Sequence, residues 1–575
     1  MPETTIAPGL TISHPETVAA SATTSARKPA RGTTRRAGGR GAGASTPATD
    51  LSPLVAALGQ QGFQLVGQFE LQAKATRPSG TSRRGRAAPG GAAAPATVQL
   101  ELAANEDAVL LTIDANDEVD WVLPGGASVT EGSTRRARGR AAASRPRSGP
   151  RTVTFDVPTT TTVRKAGARG RRAGVLSRVA TSVAGFAFKF VRAKVTKKLI
   201  EHLEKDVSPA LVRVTADAPD TWASLGSGER LPAVSPRGPG DAPRVLLLVH
   251  GTFSSTVGSY GGLFLTTEGQ SLLRDLHGHY DHIIGWDHRT LSEEPEPNAR
   301  AILAALDAQR WPMAPVIDAI GYSRGGLVLR TLLERVIPGT PWEGRFQQAL
   351  FVGSTLNGTK LAQEKNWKAF VKIYTNIAIA ACRGVAIVVP PAAVASVWVG
   401  TVARGVSVLV RFLATATLDK GGVPGLASMD PDQAIVKAMN RTAPPATLSA
   451  TYRAITNDYE PGAADSDGIP PSFRNKLADL IMDAQMNEPN DLVVNQSSMS
   501  FVCGALPAAQ VMVLPTNGRT IHTTYFRDPA VIAQLRTWLL GSRTATPVAG
   551  APRRAPSAGS RRPQAGRRKT LRRRG

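Results

Sequence analysis

One serine in this chain sits where its hydroxyl could act as a nucleophile. The stretch IDAIGYSRGGLVLR, residues 317–330, places Ser323 between Gly321 and Gly325, after an apolar run and before a second one. A glycine two residues away on each side permits a tight strand-to-helix turn that lifts the central hydroxyl above the edge of a sheet. The helix that follows would aim its first amides at the same point. A serine hydroxyl needs a base before it attacks anything. The chain has eight histidines and only His522 follows Ser323. In strand–turn–helix serine sites the order along the chain is nucleophile, acid, base. His522 is then the base, in the loop VLPTNGRTIHTTYF after an apolar strand pattern.

The acid that orients the imidazole is less sharply marked. Nine aspartates lie between Ser323 and His522. Asp458, in ITNDYEP, directly follows a strand pattern, and Asp491, in NDLVVNQSSM, precedes the last one. A tetrahedral oxyanion needs two aimed backbone amides. Arg324, after the nucleophile, supplies one. The loop HGTFSS (250–255) supplies the other, from Thr252 or alternatively Phe253, with His250 shaping that loop. The histidines of DLHGHYDHIIGWDH (275–288) follow no zinc-ligand spacing, and no phosphate or dinucleotide glycine loop is present. No metal or other cofactor is implied.

The elements that must position these residues run from about 243. RVLLLVHG (244–251), HIIGWDH (282–288), PVIDAIGYS (315–323), QALFVGS (348–354), ATYRAITN (450–457) and QVMVLPT (510–516) read as strands, with helices over 298–310, 326–336 and 526–540. Such alternation predicts an α/β fold with a doubly wound, mainly parallel sheet. Residues 366–418 interrupt it with a long apolar insert, whose uncharged run 384–403 has membrane-span length but contains Pro390-Pro391. A helical cap over the site, about 363–423, is the expectation.

In these pieces the chain resembles lipase-type α/β hydrolases of the bacterial lipase/esterase kind over about 243–541. VHGTFSS is similar to their oxyanion loop, IGYSRGG to their nucleophile elbow, NDLVV to their acid loop and RTIHTTYF to their histidine loop; FVGSTLNGTKLA and PGLASMDP also resemble lipase segments. The Asp-x-Val-Val form of the acid loop points to Asp491 over Asp458. The resemblance implies a serine hydrolase of carboxylic esters, of lipid or acyl type, with Ser323, Asp491 and His522 as triad and Thr252 and Arg324 at the oxyanion.

The remainder is read from composition. The formal charge is +25 with 5% aromatics. Much of it falls in Arg/Gly/Ala/Ser/Pro-rich stretches at 24–43, 75–87, 134–151 and 164–172, and in a tail from Arg543 that holds no acidic residue. These cannot bury enough apolar surface to offset chain entropy. The expected organisation is a disordered basic segment over 1–50, a small β-rich domain over 51–160 and a basic linker with an amphipathic helix (175–206) over 161–242. The hydrolase domain over 243–541 and a disordered basic tail over 542–575 follow. The apolar cap suggests an ester or lipid substrate, and the basic parts could meet an anionic membrane surface or nucleic acid. The start lacks a basic stretch followed by an apolar core, so a cytoplasmic location, with or without membrane association, is expected. The competing reading is a catalytically idle hydrolase-fold scaffold that binds nucleic acid or anionic membrane through its basic segments. Two cysteines, Cys382 and Cys503, suggest no disulfide framework.

Overall fold

The computed structural model describes residues 1–23, 51–74, 94–114, 119–125, 150–164, 175–180, 182–192, 200–202, 204–205, 207–233, 241–382, 392–415, 423–460 and 488–541. The basic stretches read above as disordered lie largely outside these residues, as do residues 383–391 and 416–422 of the expected cap.

The amino-terminal third is antiparallel. Strands β1 (Glu3–Ala7), β2 (Leu10–Ser13) and β3 (Val18–Ala22) are followed by helix α1 (Ser52–Gln60) and then β4 (Gln64–Ala73), β5 (Ala96–Leu102), β6 (Glu106–Asp114), β7 (Val119–Val122) and β8 (Arg151–Val157). After the hairpin of β9 (Thr160–Arg164) and β10 (Val175–Ala180) comes β11 (Val183–Val191). One sheet has the order β1-β2-β5-β8 and the other β3-β4-β11-β6-β7. They share a core that includes Leu10, Val98, Phe155, Leu110 and Ala187.

Two expectations are corrected here. Residues 1–50 were expected to be disordered, yet β1–β3 lie within 3–22. Leu10, Ile12 and Val18 are uncharged, spaced for a strand and buried against the sheets; the basic composition begins only after them. The segment 175–206 was expected as an amphipathic helix, yet it contains β10 and β11. Strand β11 pairs with β4 on one side and β6 on the other. Phe186, Phe188 and Phe190 face one core while Val183 and Ala187 face another. A central strand buried on both faces has no polar alternation, so its apolar positions can imitate helical spacing.

The larger part is an eight-stranded sheet. It comprises β12 (Ala210–Arg213), β13 (Ala223–Ser224), β14 (Arg244–Val249), β15 (His282–Asp287), β16 (Val316–Tyr322), β17 (Phe346–Val352), β18 (Thr451–Thr456) and β19 (Val511–Val513), in the order β13-β12-β15-β14-β16-β17-β18-β19. From β15 to β19 neighbouring strands pair in parallel, and only β12 and β13 run against their neighbours. Strand β14 shows why its sequence is continuously apolar. Val245, Leu247 and Val249 point to one side, Leu246 and Leu248 to the other, and helices cover both. On one face lie α2 (Thr267–His279) and the last described helix, Pro529–Leu540; on the other lie α3 (Pro295–Asp307) and α4 (Arg324–Thr331).

The insert contains α5 (Trp367–Cys382) and α6 (Ala392–Thr415). Among the described residues no helix is long and apolar enough to cross a membrane. The two helices pack on each other and are wedged between the β-rich part and the parallel sheet. The Trp121 indole N–H donates to Thr375 Oγ1 (3.1 Å). Arg411 on α6 donates to the Gln61 carbonyl (2.6 Å) and lies 4.7 and 4.8 Å from the ring centres of Phe63 and Phe190. One apolar core runs from Leu54, Trp121 and Phe188 through Phe370 and Val406 to Phe253 and Ile521.

Candidate active site

Strand β16 ends at Tyr322 and α4 begins at Arg324, so Ser323 alone makes the turn. Its backbone has φ 55° and ψ −127°, a left-handed conformation that costs a non-glycine residue of order 1–3 kcal/mol and that surrounding structure must hold. Close packing holds it. A Cβ on Gly325 would lie 2.1 Å from the Val249 carbonyl, and one on Gly251 would lie 2.7 Å from Ser323 Cβ. The motif's glycines thus let strand β14, the loop after it and the turn approach to a distance any side chain would prevent.

Three side chains meet above the sheet edge. Ser323 Oγ is 2.9 Å from His522 Nε2, and His522 Nδ1 is 2.7 Å from Asp491 Oδ2. With Nδ1–H donating to the carboxylate, Nε2 is free to accept the serine proton. Asp491 is itself fully satisfied. Its Oδ1 accepts from the Val493 and Val494 amides (3.0 and 2.8 Å), and its Oδ2 also accepts from the Tyr525 hydroxyl (2.9 Å). Burial together with Asp491 pushes the Tyr525 hydroxyl well above its ordinary pKa, which keeps it a donor. The carbonyl of His522 accepts from the Tyr322 hydroxyl at 2.5 Å, and its amide donates to the Asp491 carbonyl (2.9 Å). The imidazole is therefore fixed through ring and backbone. Asp458, the other candidate, accepts from Thr516 Oγ1 (2.9 Å) at the foot of the histidine loop instead.

Arg324 follows Ser323 directly in the chain, and Thr252 lines the small cavity beside it. The Phe253 amide, the alternative to Thr252, donates to Thr290 Oγ1 (3.4 Å). The Arg324 guanidinium is buried. It donates from Nε to the Gly425 carbonyl (3.1 Å) and from a terminal nitrogen to the Glu293 carbonyl, and burial lowers its pKa to about 10. His250 shapes its loop: His288 N–H donates to His250 Nε2 (3.1 Å), leaving Nδ1–H for the Gly251 carbonyl (2.8 Å), and the two rings stack at 4.1 Å. Burial lowers the pKa of both, so both are neutral. Among the described residues no group of three or more His, Cys, Asp or Glu side chains is arranged to hold a metal ion.

The site is closed. Ser323 is 3% exposed, and the cavity beside it, walled by Thr252, Phe253, Tyr322, Tyr374 and His522, has a volume of about 20 Å³. That accommodates a water molecule and no ester. Tyr374 and Phe370 of α5 pack edge-on against Phe253 at 5.2 and 5.4 Å.

Sequence reasoning missed Tyr525 and Tyr322. Tyr525 was within reach of it: His522–Arg527 is a 3₁₀ turn, in which residues three apart share a face, so the tyrosine of IHTTYF projects beside His522.

A family model described as a domain of unknown function (DUF7379) matches residues 209–540. The chain belongs to this family. All five candidate residues fall within the DUF7379 segment, and the antiparallel β-rich part precedes it. No curated protein matches the chain. Among solved structures the chain is similar to the mature lipase BlEst2 of Bacillus licheniformis (14% identity, 54% of this chain and 95% of that one, TM-score 0.31). It is also similar to the phospholipase PlaB of Legionella pneumophila (13%, 52% and 60%, 0.33) and to lipase 1 of Pelosinus fermentans (13%, 51% and 98%, 0.33).

Proposed function

We propose that this protein is a serine hydrolase of carboxylic esters, acting on lipid or acyl esters through an acyl-enzyme. The observation that carries the reading is the unbroken relay Ser323 Oγ–His522–Asp491 at a left-handed turn. His522 Nε2 takes the serine proton as Oγ attacks the ester carbonyl. The carbonyl oxygen becomes an oxyanion facing the Thr252 and Arg324 amides. His522 then hands its proton to the departing alkoxide, leaving the acyl group on Ser323. A water deprotonated by His522 attacks that acyl group, and Ser323 leaves with the proton. Asp491 keeps the imidazole in one tautomer and balances its transient charge.

An acyl ester needs more room than the closed cavity offers, so access requires Phe253 and Tyr374 to part, and with them α5 and α6. The walls that would receive the acyl part, Phe253, Phe370 and Tyr374, are apolar or aromatic, which favours an acyl chain over a polar substrate. Hydrolysis of p-nitrophenyl esters of increasing chain length, with and without detergent, tests this. Ser323-dependent turnover is expected; turnover of no ester by the wild type under either condition contradicts it.

A further inference from the structure

Glu204 lies just ahead of the family segment and is 3% exposed. Nothing in the mechanism above uses it, yet its carboxylate is saturated. Oε1 accepts from the Thr290 and Leu291 amides, both at 3.0 Å; Oε2 accepts from the Ser292 amide at 2.8 Å and the Ser292 hydroxyl at 2.6 Å. Three consecutive amides converging on one buried carboxylate form an anion nest, occupied here from a segment distant in sequence. Hydrogen bonds to an ionised acceptor are the strong ones. The same segment is tied a second time, by Arg289 Nε to the Val207 carbonyl (3.2 Å).

The loop so held touches both walls of the proposed oxyanion site. Thr290 Oγ1 faces the Phe253 amide, next to Thr252. The Leu291 carbonyl accepts from the Gly425 amide (2.8 Å), and the Gly425 carbonyl accepts from Arg324 Nε (3.1 Å). The Glu293 carbonyl takes a second nitrogen of the same guanidinium. Gly425 is pressed so closely on this loop that a Cβ there would lie 2.2 Å from the Thr290 carbonyl. Arg324 thus has its side chain clamped to this loop and its backbone amide beside Ser323.

We infer that Glu204 is a positioning residue: by fixing loop 290–293 it sets both the 252–253 backbone and the Arg324 amide at the spacing an oxyanion requires. The inference rests on the hydrolase reading. Its consequence is that a residue outside the family segment helps to complete the site, so the segment alone would be a poorer catalyst than the whole chain.

The test uses the full-length chain. Reactive serine is titrated with a fluorophosphonate, so that rates are expressed per active site, and kcat and KM are measured on p-nitrophenyl butyrate. Inhibition by phenylboronic acid, which forms a tetrahedral serine adduct, is measured in parallel. Glu204→Gln is expected to lower per-site kcat at least about tenfold with KM within twofold, because the amides matter only once the oxyanion forms. The boronate Ki should weaken in step. Ser292→Ala, which removes one of the four donors, should show the same split at a few-fold, and Glu204→Asp should recover part of the Gln loss. A per-site kcat within twofold of wild type in Glu204→Gln, with only the melting temperature or the titrated fraction lowered, overturns the inference. Should that variant fail to fold, an unchanged per-site kcat in Ser292→Ala overturns it equally. A wild-type chain in which no serine titrates defeats the hydrolase reading and this inference together; titration at Ser323 with unaltered variants defeats this inference alone.

Discussion

At the scale of single residues, Asp491 serves the imidazole and three other donors at once, two amides and the Tyr525 hydroxyl. A neutral amide in its place would retain the packing but lose the charge and the tautomer control. Asp491→Asn is therefore expected to cut kcat by about 10³–10⁴-fold with a folded protein, whereas Asp458→Asn should stay within a few-fold. Steady-state kinetics of the two variants separate them. Tyr525→Phe removes one hydrogen bond to a buried carboxylate, a loss of roughly 1.5–3 kcal/mol in stability, and should be seen as a lower melting temperature and reduced kcat. Gly251→Ala sets a methyl 2.7 Å from Ser323 Cβ. It must displace the nucleophile turn, and near-complete loss of ester turnover is expected. Much of this constellation was legible in the residues themselves: a serine between spaced glycines, and a single histidine after it. Spacing alone left the acid open between Asp491 and Asp458, and only the Asp-x-Val-Val form of its loop selected Asp491. Asp458 lies two residues beyond β18, whereas Asp491 lies in a loop well ahead of β19 that folds back onto the histidine, which spacing does not encode.

At the scale of elements, α5 and α6, the proposed roof of the site, pack on Phe253 on one side and are gripped from the opposite side by the β-rich part. Arg411 is one such grip: its guanidinium lies over the adjacent rings of Phe63 and Phe190 and donates to the Gln61 carbonyl. Burial lowers its pKa to about 10, so it remains charged at neutral pH. Arg411→Ala should lower the melting temperature by several degrees and, by freeing the roof, raise the rate at which Ser323 reacts with a fluorophosphonate. An unchanged labelling rate would mean that the roof moves independently of this contact. The parallel strands could be read because each carries a short apolar run, VLLLV in β14 and ALFV in β17 among them, that ends in a turn signal. Strand β11 failed for the same physical reason: being apolar on both faces, it carried no period to distinguish it from a helix. Strands β1–β3 were hidden by the basic stretch that follows them.

For the whole molecule, one apolar core links α1 and the β-rich sheets, through α5 and α6, to Phe253 and Ile521 beside the site. Parts joined by such a core cannot expose their contact faces independently without a large apolar penalty. Calorimetry of the full chain should show one cooperative transition for the two parts; two well-separated peaks would contradict the shared core. The change in strand pattern at about 243 marked the first parallel strand, but the sheet takes in β12 and β13, which lie within the stretch 161–242 expected as a linker. The union of the two parts was not legible, because the insert that joins them reads only as an apolar run with no indication of what covers it.

The central claim is that Ser323 is a nucleophile activated by His522. Its most direct measurement is mass spectrometry of the full-length protein after reaction with a fluorophosphonate, with detergent present to part the roof. The account predicts a single adduct on the peptide containing Ser323 in the wild type, and none in Ser323→Ala or His522→Ala. An unlabelled wild type, or an adduct that persists in Ser323→Ala, would contradict it.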